Sequence, residues 1–519
     1  MLSSAPSLAA TETAAVPLGR LTALVFTAGV GSLATEIAAS RLLAPYFGNS
    51  TIVWANVIGL VLASLSLGYW LGGRIADEHP SPRLLGGIVA AAAVLVAATP
   101  FLAKPFLDLT VEGLDEVSTG AAIGSFFGVL ILFAPPVTLL GMVAPFAIRL
   151  ALRTVESVGA VAGRLYAVST IGSLLGTFLS ALVAIPLIGT QRTLLASAAL
   201  LAVAGSGLLG VRWLALGVGL TLLLAVPPGA VKSREGVLHE DESLYQFVQV
   251  TENDGVRRLY LDEGVAVHSV WRPNDVLTGG VWDTFLALPP LLGRPLERVA
   301  ILGNAGGTTA RAMGVYYPRA AIDGVELDPA VTDTGRRYLG LDDNPRLHVH
   351  TADARPFLRR SDGGYDLIVV DAYRPPYVPF YLATREFFEL VRKRLAPGGM
   401  VALNVASVPG DTRLARGIAN TVAAELPAVW TWQALRFNQV VVGLTHALPR
   451  SEIEQRLNAV QGDLAPLTRL AARDLRPADI SGDPWTDDHA PVEWITDRMI
   501  VEYAAEGGRL EETSLPTAP

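Results

Sequence analysis

Charge is spread so unevenly along these 519 residues that the chain is built for two different solvents. Residues 1–230 hold 19 charged side chains, about 8% of that stretch, whereas residues 231–519 hold 69, about 24%. An average soluble domain carries roughly 25%, so only the second stretch reads as an ordinary water-exposed protein. The first contains seven segments that meet or approach the roughly 20 apolar residues needed to cross a hydrocarbon core. They start near Leu21, Thr51, Leu84, Ala121, Gly163, Thr193 and Trp213. The first is too long for a signal peptide and lacks its basic flank, so it is expected to be retained. The expected organisation is a tail over 1–19, a multi-pass α-helical membrane domain over 20–230, a small β-hairpin domain over 231–290, and an α/β domain over 291–519.

Within the apolar stretch, the Gly-x-x-x-Gly pairs Gly68–Gly72 and Gly172–Gly176 suit close helix packing in lipid. Glu36 and Arg41 fall inside the first segment, where ionisable groups are expensive and suggest function. The alternative is a structural contact near the helix end, with Arg41 snorkelling to the interface. Basic residues Arg74, Arg83, Arg149, Arg153 and Arg164 alternate with an acidic loop at Asp108, Glu112, Asp115 and Glu116. The positive-inside rule then puts the N-terminus in the cytoplasm. Seven crossings would leave the charged stretch outside. An even number requires that one segment does not cross, or that Pro135-Pro136 and Pro145 create a re-entrant pair.

Several chemistries drop out. The chain has no cysteine, which excludes disulfide scaffolds, thiolate metal sites and thiol nucleophiles. Residues 231–519 carry a net charge of −9, the wrong sign for a surface that must neutralise nucleic-acid phosphates. His348 and His350 share one strand face, but no further ligand pattern accompanies them, so no metal is expected.

After Val237 the pattern turns to short alternating runs, Tyr245–Thr251, Arg257–Leu261 and Ala266–Trp271, with a hairpin turn at Asn253-Asp254-Gly255. A βα alternation follows, with strands at Arg298–Leu302, Ala321–Val325, Leu347–His350, Asp366–Val370 and Met400–Asn404. That is the pattern of a Rossmann-like, doubly wound sheet, whose ligands bind beyond the carboxyl ends of the strands. Those ends carry Gly303-Asn304-Ala305-Gly306-Gly307, Glu326 with Asp328, Asp353 with Ala354, and Asp371. Glu326 lies 23 residues after Gly303, where nucleotide folds place the carboxylate that accepts from both ribose hydroxyls. No P-loop lysine follows the glycines, which favours a nucleoside-type ligand such as a sulfonium nucleoside.

Taken in order, Glu242-Ser243-Leu244-Tyr245-Gln246, the glycine turn, Val325-Glu326-Leu327-Asp328, Ala352-Asp353-Ala354 and Val370-Asp371-Ala372-Tyr373 resemble the spermidine synthase (polyamine aminopropyltransferase) family. Gly68-Tyr69-Trp70-Leu71-Gly72-Gly73-Arg74 and Trp485-Thr486-Asp487-Asp488-His489-Ala490-Pro491-Val492-Glu493 look like its membrane-fused branch. The resemblance implies transfer of a 3-aminopropyl group from decarboxylated S-adenosylmethionine, as co-substrate, to a small amine such as putrescine. It implies Asp371 as the catalytic base, with Gly303, Asn304, Gly306, Gly307, Glu326, Asp328, Asp353 and Ala354 on the nucleoside. Tyr245, Gln246, Asp283, Tyr373 and Arg374 would lie at the amine end. A cytosolic co-substrate would place the carboxy-terminal domain in the cytoplasm, on a multi-pass protein of the cell membrane. Many enzymes of this soluble fold are homodimers.

Two positions depart from the family pattern. Its second acid is Arg374 here, and Gly306 stands where its glycine turn has an aspartate. A guanidinium beside a diamine is repulsive, which keeps two other readings open. One is an S-adenosylmethionine-dependent methyltransferase, with Arg374 paired to the carboxylate that the decarboxylated form lacks. The other is a non-catalytic nucleoside-sensing domain on a transporter-like membrane domain. The Pro-stiffened aromatic run after Asp371 reads as a lid or as loop packing.

Overall fold

A computed structural model describes residues 16–48, 51–114, 120–152, 158–226, 229, 231–232, 234–262, 266–373 and 377–508. Asp115, Glu116, Arg153 and Arg374 lie outside the described residues. The chain divides into a helical unit and a second unit centred on residues 234–508.

In the helical unit, five helices are long and apolar enough to cross a membrane: Leu18–Phe47, Ile52–Glu78, Pro82–Thr110, Ile123–Ala151 and Val158–Leu209. The fifth runs for 52 residues and contains two of the expected segments. It breaks at Gly189, whose φ of 79° lies in the left-handed region that glycine tolerates. The expected last segment is only the short helical stretch Val211–Leu223. Nor do Pro135, Pro136 and Pro145 form a re-entrant pair. They sit within the one run Ile123–Ala151, where the turn before the prolines, Val129–Phe133, widens into a π-helix. Proline supplies no backbone donor, and a wider turn accommodates the gap. Ser180–Ala184, just before Pro186, is widened in the same way.

Both glycine pairs mark close helix contacts. A methyl on Gly172 would lie 2.2 Å from the Phe26 carbonyl oxygen, and one on Gly176 2.3 Å from that of Val30. Gly68 and Gly72 approach Thr138 and Met142 as tightly. Asp77, Glu78 and Asp108 in these helices each pair with a cation.

The second unit begins with an antiparallel sheet of β1 (Val237–Glu242), β2 (Phe247–Asn253), β3 (Val256–Leu261) and β4 (Val267–Trp271). The β2–β3 turn has positive φ at Asp254 (53°) and Gly255 (74°), as a type I′ hairpin requires. Val248, Val250, Leu259 and Leu261 on one face bury against Val331 and Leu339, from the helix Pro329–Tyr338 and its end.

The main sheet comprises β5 (Arg298–Leu302), β6 (Ala321–Glu326), β7 (Leu347–Thr351), β8 (Tyr365–Val370), β9 (Leu395–Ala406), β10 (Ala428–Leu435), β11 (Asn438–Leu444) and β12 (Arg476–Pro477). Their order is β12-β10-β11-β9-β8-β5-β6-β7, with β5 to β9 parallel. Alternate residues feed two cores. Val299 and Ile301 pack on one face with Phe285, Leu286 and Met313, while Ala300 and Leu302 pack on the other with Phe387, Leu414 and Ile418. Burial on both faces explains why β8 is an unbroken apolar run. From β5 the chain winds outward through β6 and β7, then returns to β8 on the other side of β5. The junction of β5 and β8 is therefore the switch point of the sheet, where ligands of such folds bind.

Candidate active site at the carboxyl edge of the sheet

The turn after β5 is shaped by backbone conformation. Gly303 (φ 93°), Ala305 (φ 44°) and Gly307 (φ 84°) all lie in the left-handed region, and the helix Thr308–Tyr316 starts directly behind them. The amides of Gly303 and Asn304 both donate to the Val325 carbonyl, while the Ala305 amide donates to Glu326 Oε2 at 3.0 Å. Glu326 Oε1 accepts from the Asp328 amide at 3.0 Å. This half-buried carboxyl is pushed up to about 7, chiefly by desolvation. Both polar side-chain atoms of Asn304 are buried and have no partner among the described residues. The glycine turn and Glu326 thus form one cluster with unused hydrogen-bonding capacity.

Gly306 has no room for a side chain. A methyl there would lie 2.4 Å from Leu339 Cδ1 and 3.0 Å from Ser269 Oγ, and the Gly306 amide donates to that oxygen at 2.8 Å. Thr308 is bonded to the Val270 backbone in both directions. Strand β4 is therefore sewn to the glycine turn.

Asp371 follows β8 and donates its amide to the Leu302 carbonyl at 2.8 Å, which seats it beside the glycine turn. Asn404, near the end of β9, donates Nδ2 to Asp371 Oδ1 at 2.9 Å, and Asn438 of β11 donates to Asn404 at 3.0 Å. The Trp282 side chain also hydrogen-bonds Asp371. Desolvation outweighs these bonds and raises the Asp371 carboxyl to about 7. The Tyr373 hydroxyl is buried, and burial with the neighbouring Asp371 charge raises it well above the usual phenol range, against an opposing interaction with the Ala406 backbone.

The other acids are engaged. Asp353 caps the helix Ala354–Arg360, its Oδ1 accepting from the Arg355 amide at 3.0 Å, and its Oδ2 accepts from the Tyr381 hydroxyl at 2.9 Å. The Ala352 amide donates to the Glu326 carbonyl, so Asp353 follows directly on a backbone bond to the end of β6. Asp328 caps the helix Pro329–Tyr338 and accepts from Ser243 at 2.5 Å and Gln246 at 3.4 Å. Gln246, expected at the amine end, therefore joins the β-domain to the end of β6, and Tyr245 is exposed. Asp283, expected to face the amine, is instead enclosed by its own loop. It accepts from the Thr278 hydroxyl at 3.0 Å and from the Gly279 amide at 2.7 Å. Asp283 lies on the helix Val281–Leu286, and the residue of that helix that reaches Asp371 is its neighbour Trp282. Asn404, Asn438, Trp282 and Ser269 are contributors that the sequence motifs did not flag.

A family model, the spermine/spermidine synthase domain, matches residues 284–427. The match lies wholly within the carboxy-terminal unit. Among curated relatives, the chain is 35% identical over 187 residues to a probable polyamine aminopropyl transferase of Bifidobacterium longum, covering 36% of this chain and 41% of that one. It is 28% identical over 240 residues to the polyamine aminopropyltransferase of Vibrio vulnificus, covering 44% and 79%. The chain thus spans less than half the length of the first relative. A probable spermidine synthase of Corynebacterium glutamicum superposes with a TM-score of 0.39 at 17% identity, covering 55% of this chain and all of that one. Asp371, Glu326 and Asp353 all fall inside the matched stretch. Ser243, Gln246, Ser269 and Trp282 precede it and reach into the same site.

Proposed function

We propose that the carboxy-terminal unit is an aminopropyltransferase, moving a 3-aminopropyl group from decarboxylated S-adenosylmethionine to a small amine such as putrescine. The observation that carries this reading is Asp371. It is a carboxyl at the switch point of the sheet, held by Asn404 and Trp282, with its proton affinity raised to about 7. A base works best when its pKa lies near the working pH, and a protonated amine needs such a base. As the acceptor nitrogen attacks the propyl carbon next to sulfur, an N–C bond forms and the C–S bond breaks. Asp371 takes one ammonium proton, and methylthioadenosine leaves as a neutral thioether.

The nucleoside is accommodated on the other side of the glycine turn. Glu326 keeps lone pairs for the ribose hydroxyls, Asn304 has polar atoms without a partner among the described residues, and each Asp353 oxygen keeps a lone pair beside its existing bond for an exocyclic amine. The sulfonium is cationic, and the acids lining these strand ends suit it. The helical unit serves as a multi-pass membrane anchor, with the catalytic unit in the cytoplasm where the nucleoside is made. Titration calorimetry on the detergent-purified full chain tests the reading. Decarboxylated S-adenosylmethionine should bind at least about tenfold more tightly than S-adenosylmethionine, since Asp371 repels an added carboxylate. Preference for the carboxylate-bearing form would reject aminopropyl transfer.

A further inference from the structure

The carboxy-terminal turn at Trp485–His489 lies outside the matched synthase domain, yet it is bonded into the wall of the site. The Arg355 guanidinium holds Asp487 with two parallel bonds, at 2.7 and 2.8 Å. The Thr384 hydroxyl donates to Asp487 Oδ1 at 2.7 Å, and the Asp487 amide donates to Glu386 at 3.0 Å. The Arg385 amide donates to the Trp485 carbonyl at 2.8 Å, and the Trp485 amide donates to Thr421 at 3.0 Å. One short turn thus ties together the helix Ala354–Arg360, the start of the helix Arg385–Arg394, and the helix Arg413–Ala423.

These bonds converge on Tyr381. Its carbonyl accepts from Arg355 Nη1 at 3.3 Å, and its hydroxyl donates to Asp353 Oδ2 at 2.9 Å. Arg355 also donates its own amide to Asp353 Oδ1. Both oxygens of Asp353 are therefore oriented by groups that Asp487 holds, directly or through one residue. Tyr377, earlier in the same loop, donates its hydroxyl to Asp497 of the helix Val492–Ala505, a second attachment to the same tail.

We propose that Asp487 is a positioning residue: the tail clamps Arg355 and Thr384, sets Tyr381 against Asp353, and so fixes the nucleoside end of the site. The aromatic loop after Asp371 is then a braced wall on its Tyr377–Thr384 side, and nucleoside affinity depends on a residue that touches no substrate. The inference rests on the nucleoside-binding reading above. A bidentate guanidinium–carboxylate pair is directional, so loss of one charge should let Tyr381 drift while the sheet stays intact.

The test compares the full-length wild type with Asp487→Asn and Tyr381→Phe. It measures methylthioadenosine binding by calorimetry, KM for each substrate, kcat and the thermal midpoint. Methylthioadenosine affinity and the nucleoside KM should worsen about tenfold in both variants, with kcat and the amine KM within about twofold of wild type. The double variant should be little worse than either single one, because both act through one chain of bonds. Wild-type affinity in Asp487→Asn overturns the clamp, as does a uniform loss of every parameter together with a lower midpoint. Failure of the wild type itself to bind methylthioadenosine would overturn the nucleoside reading first, and the clamp with it.

Discussion

Gly303 and Asp371 approach so closely that a methyl group on Gly303 would lie 2.4 Å from the Asp371 carbonyl oxygen. The two turns that flank the switch point are therefore in backbone contact, and the candidate base is positioned by a residue with no side chain. Gly303→Ala should push the turns apart and strain a backbone held at φ 93°, a cost of about 1–3 kcal/mol. Transfer activity should fall at least about tenfold, with a lower thermal midpoint. A fully active, equally stable variant would show that the contact is dispensable.

Asp371→Asn removes the proposed base while keeping its shape. Turnover should drop by at least about 10²-fold, with methylthioadenosine binding retained. Stability should move the other way. A carboxyl raised from its ordinary range to about 7 holds its proton more tightly when folded than when unfolded. Its burial therefore destabilises the fold progressively as pH rises from about 4 to 7. Thermal melts should show Asp371→Asn above wild type at pH 8, with the gap closing towards pH 5.

Asn404→Ala tests how that carboxyl is tuned. The Asn404 bond favours the charged form and lowers the Asp371 pKa against desolvation, so its loss should raise it. Activity should increase with pH through about 7 in the wild type, because the base must be ionised. In Asn404→Ala that acidic limb should shift to higher pH, with kcat down about tenfold. An unmoved limb would mean that another group, such as Glu326, governs the profile.

The helical unit has its own test. Gly176→Ile places a branched side chain where a single methyl would already lie 2.3 Å from the Val30 carbonyl. The thermal midpoint of the detergent-solubilised unit should drop, whereas Gly59→Ile, at a site with open space around it, should leave it unchanged. Equal midpoints would place no weight on the glycine contact.

Much of this was legible in the residues because the signals were local. The strand ends at Leu302, Glu326 and Asp371 follow from apolar runs that stop at glycine or acid, and the Gly172–Gly176 spacing marked a real helix contact. What escaped notice was tertiary. The β10–β11 hairpin turns at Arg436-Phe437, which carries no glycine, proline or asparagine to announce it. Asn404 only closes an expected strand and Asn438 lies where no strand was expected, and only the pairing of β9 with β11 brings them together beside Asp371. Asp283 looked like a substrate acid by position. The Thr278–Gly280 loop encloses it instead, and the adjacent Trp282 takes its place at the site. Gly306 looked like a lost charge, whereas Ser269 and Leu339 fill the space a side chain would need.

The most direct measurement is turnover. Full-length wild type and Asp371→Asn would be incubated with decarboxylated S-adenosylmethionine and putrescine, and the products analysed by mass spectrometry. Equal amounts of methylthioadenosine and an aminopropylated amine, formed by the wild type and lost in the variant, are expected. Absence of both products from a wild type that binds the nucleoside, or their undiminished formation by Asp371→Asn, would contradict the assignment of Asp371 as the base of an aminopropyltransferase.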